Sequence, residues 1–158
     1  MTQPSPEFEP IDERRDEILA ALGLSAADGV VRSTAGGTTH VLVATSEPID
    51  GLDPDLSRVA AISRSCRSHT MVPMRELNRG RVHARVFGPA AGVSEDPGSG
   101  SAAGPIGLFA RELWGTDEGL VVAMGAEIGR PSQLEVDISG EIVVGGHVVA
   151  SAEGAFLI

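Results

Sequence analysis

Apolar positions fall at helical spacing in three stretches of the chain and alternate or run together in the rest. Ile11, Ile18, Leu19 and Leu22 can share a face, which predicts a helix from Ile11 to Leu22 ended by Gly23. The charges from Asp12 to Glu17 form its solvated side. Asp53-Pro54 predicts a second helix running to about Ser65, with Asp53 as N-cap, Pro54 at the first position, and Leu56, Val59, Ala60 and Ser63 inward. A third helix is predicted from Ser101 to Trp114. Ile106, Leu108, Phe109, Ala110 and Leu113 cover most of its girth, as in a buried helix. Proline is tolerated only near a first turn, so Pro105 places the start close to Ser101, and Gly115 ends the helix.

The remaining pattern predicts strands. Met1 to Pro10, with Pro4, Pro6 and Pro10, is expected to be an extended lead-in. Val30 to Arg32 predicts a short strand, followed by a turn or small loop over 33–38. Thr39 to Thr45 predicts a buried strand with a structural His40 at its mouth. His69 to Arg75 and Arg81 to Phe87 predict two strands joined at Asn78-Arg79-Gly80. In the second, Val82, Ala84 and Val86 alternate with His83, Arg85 and Phe87, and Arg85 is read as a surface residue. Leu120 to Met124, Gln133 to Ile138, Glu141 to Val144, and Val148 to Ile158 with a break near Gly154 complete the set. The expected fold class is α+β: a mixed or antiparallel sheet curled around one central buried helix, with a helix or two outside, as a single domain over residues 1–158.

Composition removes several functions from consideration. The net charge of −10 argues against nucleic acid, which needs a basic face. The chain has no lysine, which excludes Schiff-base chemistry and lysine-bound pyridoxal. Cys66 is the single cysteine, so no internal disulfide or cysteine-rich zinc site is possible; it is read as a small buried filler. A cytoplasmic location follows as an expectation, with no metal, no cofactor and no membrane partner.

The chemistry concentrates in Gly92-Val93-Ser94-Glu95-Asp96-Pro97-Gly98-Ser99-Gly100-Ser101-Ala102-Ala103-Gly104. Glycines permit positive φ and close approach. The free N–H groups of the following helix would point back into this loop and suit a carboxylate or phosphate. A P-loop needs a lysine that is absent, and Gly98, Gly100 and Gly104 do not match the dinucleotide spacing. A small-carboxylate site with Asp96 as polar or proton-handling partner is the favoured reading; a plain turn leading into the helix competes with it. Glu95 is read as structural.

Arg85-Val86-Phe87-Gly88-Pro89, Gly92 and Glu95-Asp96-Pro97-Gly98-Ser99-Gly100-Ser101-Ala102-Ala103 together resemble the signature of the PhzF (phenazine biosynthesis) family of isomerases. Gly129-Arg130-Pro131-Ser132 and Ile142-Val143-Val144-Gly145-Gly146 are similar to its later motif, and Pro6-Glu7-Phe8 with Ala21-Leu22-Gly23-Leu24 resembles a mid-chain segment of such proteins. The resemblance implies one lobe of a diaminopimelate epimerase-like fold, with the active site between two lobes. It covers only the second lobe. The family's acid/base glutamate and Gly-His-Pro loop lie in the first, so activity is expected only with an N-terminal lobe. The end strand is expected to return to that lobe. By position, the resemblance gives Asp96 and Ser101 catalytic roles, and Gly98, Ser99, Gly100 and Ser101 the substrate carboxylate. It implies a cofactor-free proton shift on a small acid and an N-terminal lobe or second chain as partner; the apolar face that a missing lobe would leave exposed makes a homodimer the expectation. Departures are Met124, where the family often has Gln, and Ser99, where Thr is common. The absence of cysteine from the loop disfavours a two-thiol racemase.

Overall fold

A computed structural model describes residues 1–150 and 153–154. Among these, nine strands follow one another in a single curled sheet. Its order is β1 (Thr2–Gln3), β11 (Ile142–Gly146), β10 (Ser132–Asp137), β9 (Gly119–Met124), β6 (Arg81–Ala84), β5 (Thr70–Asn78), β4 (Thr38–Ala44), β3 (Gly29–Ala35) and β2 (Glu7–Pro10). Two further strands, β7 (Val86–Gly88) and β8 (Val93–Asp96), pair with each other, and β7 also pairs with β5. The β4–β5 and β6–β9 pairs are parallel and the others antiparallel, so the sheet is mixed, as expected.

The helix α3 (Gly100–Trp114) is held inside the curl. Ala102, Ala103, Ile106, Phe109 and Ala110 pack there against Leu42, Val72, Val82, Val122 and Val136. On the other face of the sheet, α1 (Arg15–Leu22) and α2 (Leu56–Ser65) cover Val41, Val43, Met71 and Phe87. Strand β4 therefore feeds both cores, Leu42 inward and Val41 and Val43 outward. That explains its unbroken apolar run.

Several elements depart from expectation. The first ten residues are extended, but they are sheet rather than lead-in. β1 pairs with β11 and β2 with β3, so one proline-rich segment supplies both edges of the curl. Edge strands tolerate proline because an outward N–H is not needed. The first helix begins as a 3-10 turn at Asp12–Arg14 before α1. The turn over 33–38 shrinks to Gly36-Gly37, both at positive φ, joining β3 and β4 as a two-residue hairpin. Arg81 to Phe87 breaks at Arg85 into β6 and β7. Residues 148–150 form no strand, Val148 is 93% exposed, and the rest of the predicted last strand falls mostly outside the described residues.

Two helix starts also move. Asp55, not Asp53, caps α2, accepting from the Ser57 and Arg58 amides at 3.1 Å. Asp55→Ala is expected to destabilise the protein by about 1 kcal/mol. Urea unfolding checks this, with Asp53→Ala leaving the midpoint unchanged. Pro105 is the sixth residue of α3, beyond the first turn, since the helix starts at Gly100. It therefore removes a real intrahelical donor, the one that would serve the Ser101 carbonyl.

Candidate functional site

Glu95 and Asp96 belong to a strand, not a loop. β8 folds back on β7, and Asp96 stands opposite Val86. Strand alternation sends the two neighbouring acids to opposite sides.

Glu95 turns onto Arg85. Arg85 Nε donates to Glu95 Oε1 at 2.9 Å and Nη2 to Oε2 at 2.8 Å. Both side chains are buried, 7% and 8% exposed. Arg85 Nη1 also donates to the Leu52 carbonyl at 2.8 Å and the Ile49 carbonyl at 3.2 Å, and the guanidinium lies over the Phe87 ring. Hydrogen bonding to Glu95 raises the Arg85 pKa against the opposing effect of burial. Such a forked, charge-assisted pair fixes geometry as well as charge. Arg85 is thus no surface arginine: the strand breaks at its position and the side chain turns inward. Alternation alone could not show this, because the partner carboxylate is brought there by the later hairpin. Glu95 is structural, as read.

Asp96 lies beside the start of α3. Its Oδ1 accepts from the Gly98 amide at 3.1 Å. Ser99 occupies the N-cap position but its side chain makes no capping hydrogen bond; its Oγ is 3.5 Å from that of Ser101. The unsatisfied N–H groups of the first turn are therefore not consumed by a side-chain cap. Asp96, Gly98, Ser99, Gly100 and Ser101 are brought together at this mouth. The reason for the glycines differs from expectation. Gly98, Gly100 and Gly104 do not take positive φ. A methyl at Gly104 would strike Gln3 and Ile142, and one at Gly98 would come within 3.0 Å of Ser132 Oγ. Close approach is what those two positions require; Gly100 has room.

The first turn is anchored through its carbonyls. Gln3 Nε2 of β1 donates to the Gly100 carbonyl at 2.7 Å. His40 is buried on β4, whose inward face packs on α3, and the Ser101 backbone is among the groups acting on its ring. A second loop backs the mouth. Gly125, at φ +74, is pressed against Pro97 and Arg130, and Ser132 Oγ donates to the Pro97 carbonyl. Glu127 on this loop is tied to His83 Nε2 at 3.0 Å, while Asp50 lies 3.7 Å from Nδ1. The three groups converge within 4.8 Å, and the two carboxylates approach opposite ring nitrogens, so the close Glu127–His83 contact joins this loop to β6 while Asp50 stays beyond hydrogen-bond distance. Neither tether was found in the sequence, because each joins residues more than thirty positions apart. Cys66 is free and buried, as expected. Among the described residues, no helix is long and apolar enough to cross a membrane.

A family profile described as "Phenazine biosynthesis-like protein" matches residues 1–154. The chain is 33% identical to trans-2,3-dihydro-3-hydroxyanthranilate isomerase of Pseudomonas aeruginosa, over 98% of this chain and 57% of that protein. It is 33% identical to an uncharacterised isomerase of Salmonella typhimurium, over 69% of this chain and 40% of that one. Its fold is similar to the solved structure of a predicted epimerase from Pseudomonas aeruginosa, with a TM-score of 0.70 at 23% identity, covering 91% of this chain and 53% of that chain. The chain spans about half the length of the curated relatives it matches. The signature from Arg85 to Ala103 and the curled sheet around α3 thus have one explanation: the chain belongs to the PhzF family of phenazine biosynthesis-like proteins.

Proposed function

We propose that this chain is the C-terminal lobe of a PhzF-like isomerase that shifts a proton along a small unsaturated carboxylic acid without metal or organic cofactor. One observation carries the reading: the uncapped first turn of a buried helix, with Asp96 held beside it. Backbone N–H groups of Gly100 and Ser101, with the Ser99 and Ser101 hydroxyls, hold the substrate carboxylate. Asp96 orients the polar group next to the reacting carbons. A base takes a proton from one carbon, the double bond moves, and the proton returns at another carbon. Glu95 is disfavoured as that base, since both its oxygens are held by Arg85 in a buried ion pair. The base is therefore assigned to a glutamate of an N-terminal lobe, on a separate chain or a longer form of this one. The assembled enzyme is expected to be a homodimer in the cytoplasm.

The same occupation of Glu95 favours a second reading, a small-acid-binding module without turnover. Co-expression with the N-terminal lobe of the Pseudomonas aeruginosa relative separates the two. With trans-2,3-dihydro-3-hydroxyanthranilate in deuterated water, the complex is expected to incorporate deuterium at carbon. Asp96→Asn should slow this by about a hundredfold or more. No complex and no exchange would overturn the isomerase reading. Thermal stabilisation of the isolated chain by small aromatic acids, without turnover in either form, would favour the binding module.

A further inference from the structure

Pro105 and His40 are far apart in sequence, and both bear on the backbone of Ser101. Pro105 has no N–H, so the Ser101 carbonyl loses the donor that a regular helix would give it. That carbonyl lies in the first turn of α3, where Ser101 is half-buried and Ala102 and Ala103 are buried, and an unmet acceptor withdrawn from water is unfavourable. His40 is 2% exposed and stands on β4, whose inward face packs on α3. Its Nδ1 is 2.8 Å from Thr70 Oγ1. Its Nε2 is buried and without a partner inside hydrogen-bond limits. The Ser101 backbone acts on the ring so as to favour its protonated form, which only an acceptor does, so the group concerned is the carbonyl. With Nδ1 taken by Thr70, Nε2 is the nitrogen left to face it.

We infer that His40 is a positioning residue for the mouth of α3: its Nε2–H serves the Ser101 carbonyl that Pro105 leaves without a helical donor, while Nδ1 accepts from Thr70. The contact is looser than a full hydrogen bond in this structure. It requires the neutral ring with the proton on Nε2. Burial, followed by the nearby His69, pushes the His40 pKa down to about 4, in keeping with a neutral ring at pH 7. The arrangement has a consequence for the site. Gln3, and on this inference His40, hold the first turn by its carbonyls; the Ala102 amide is taken by the Ser99 carbonyl, which leaves the Gly100 and Ser101 N–H groups to face a ligand. Only that last step rests on the carboxylate-binding reading proposed above.

Three measurements on the full chain test this. The nitrogen-15 shifts of wild-type His40 at pH 7 are expected to show Nε2 protonated and Nδ1 bare. The opposite tautomer, or an imidazolium, would overturn the inference without any variant being made. The second is a double-mutant cycle between His40→Leu and Pro105→Ala. Pro105→Ala restores an amide N–H at position 105, which can bond the Ser101 carbonyl directly. His40→Leu is expected to reduce the folding equilibrium constant at least tenfold more in the wild-type background than in the Pro105→Ala background. The loss of the Thr70 partner is common to both backgrounds and cancels. Equal losses in the two would refute the pairing. The third uses benzoate as probe, followed by the amide signals of Gly100 to Ala103. His40→Leu should weaken binding at least tenfold, and adding Pro105→Ala should restore it. Unchanged binding in His40→Leu would refute the positioning role. If wild type does not bind benzoate, the carboxylate reading fails, and the tautomer and the cycle still decide on His40.

Discussion

Arg85→Met is expected to destabilise the protein by about 3–5 kcal/mol, the range for removing one partner of a buried pair. The methionine roughly fills the space of the aliphatic stem. It leaves the Glu95 carboxylate buried and without the two donors that now hold it at 2.8 and 2.9 Å. It also strips a donor from the Leu52 and Ile49 carbonyls. The pair itself contributes less than this figure, because forming it required both charges to leave water. Arg85→Met combined with Glu95→Leu should therefore recover much of the loss. Urea unfolding of the wild type, both single variants and the double variant tests this; a double variant no more stable than Arg85→Met would show that the guanidinium acts through its carbonyl contacts instead. Because Glu95 immediately precedes Asp96, the single variant should also loosen the site more than its stability loss explains. Amide exchange from Pro97 to Ala103 at a temperature where the fold is intact would show it.

Gly125→Ala is the other large effect, expected at about 3–5 kcal/mol from a left-handed backbone and a clash that cannot relax. The residue sits at φ +74. An added methyl would fall on the Arg130 carbonyl, 2.7 Å from the Pro97 carbonyl oxygen and 2.8 Å from Pro97 Cα. These are backbone atoms, so no side chain can rotate away. Gly129→Ala is the control. Gly129 has φ +69 but nothing within 4 Å of an added methyl, so it should lose only about 1–2 kcal/mol. Similar losses at the two positions would mean that conformation, not crowding, governs the loop. In the assembled enzyme, Gly125→Ala should also lower proton exchange, since the displaced atoms are those of Pro97, next to Asp96.

These two effects mark the boundary of what local pattern can reveal. Apolar periodicity located all three helices, because each must hide a stripe 3.6 residues in period, and the girth of Ser101 to Trp114 marked the buried one. Alternation and turn residues located most strands. The mouth of α3 was also legible, since a helix start rich in glycine and serine after an Asp-Pro pair concentrates donors in a few residues. Misplaced were the features that depend on a partner elsewhere in the chain. The first ten residues became two sheet edges only because β11 and β3 offered unpaired strands. Arg85 moved from surface to interior because a hairpin later in the chain delivers Glu95 beneath it. Gly104 is small because β1 and β11 press on α3, not because its backbone turns.

The residues by themselves determined the class of fold, the location of the buried helix and the cluster around Asp96, because burial and capping act over a few positions and leave a local trace. Only the tertiary structure decided which acid is engaged, which carbonyls of the first turn find donors, and what each glycine accommodates. Those outcomes depend on distances between groups brought together by the fold, among them Arg85 with Glu95, Gln3 with Gly100 and Gln3 with Gly104. A hydrogen bond or a steric contact falls away within about an ångström, and no spacing along the chain encodes that.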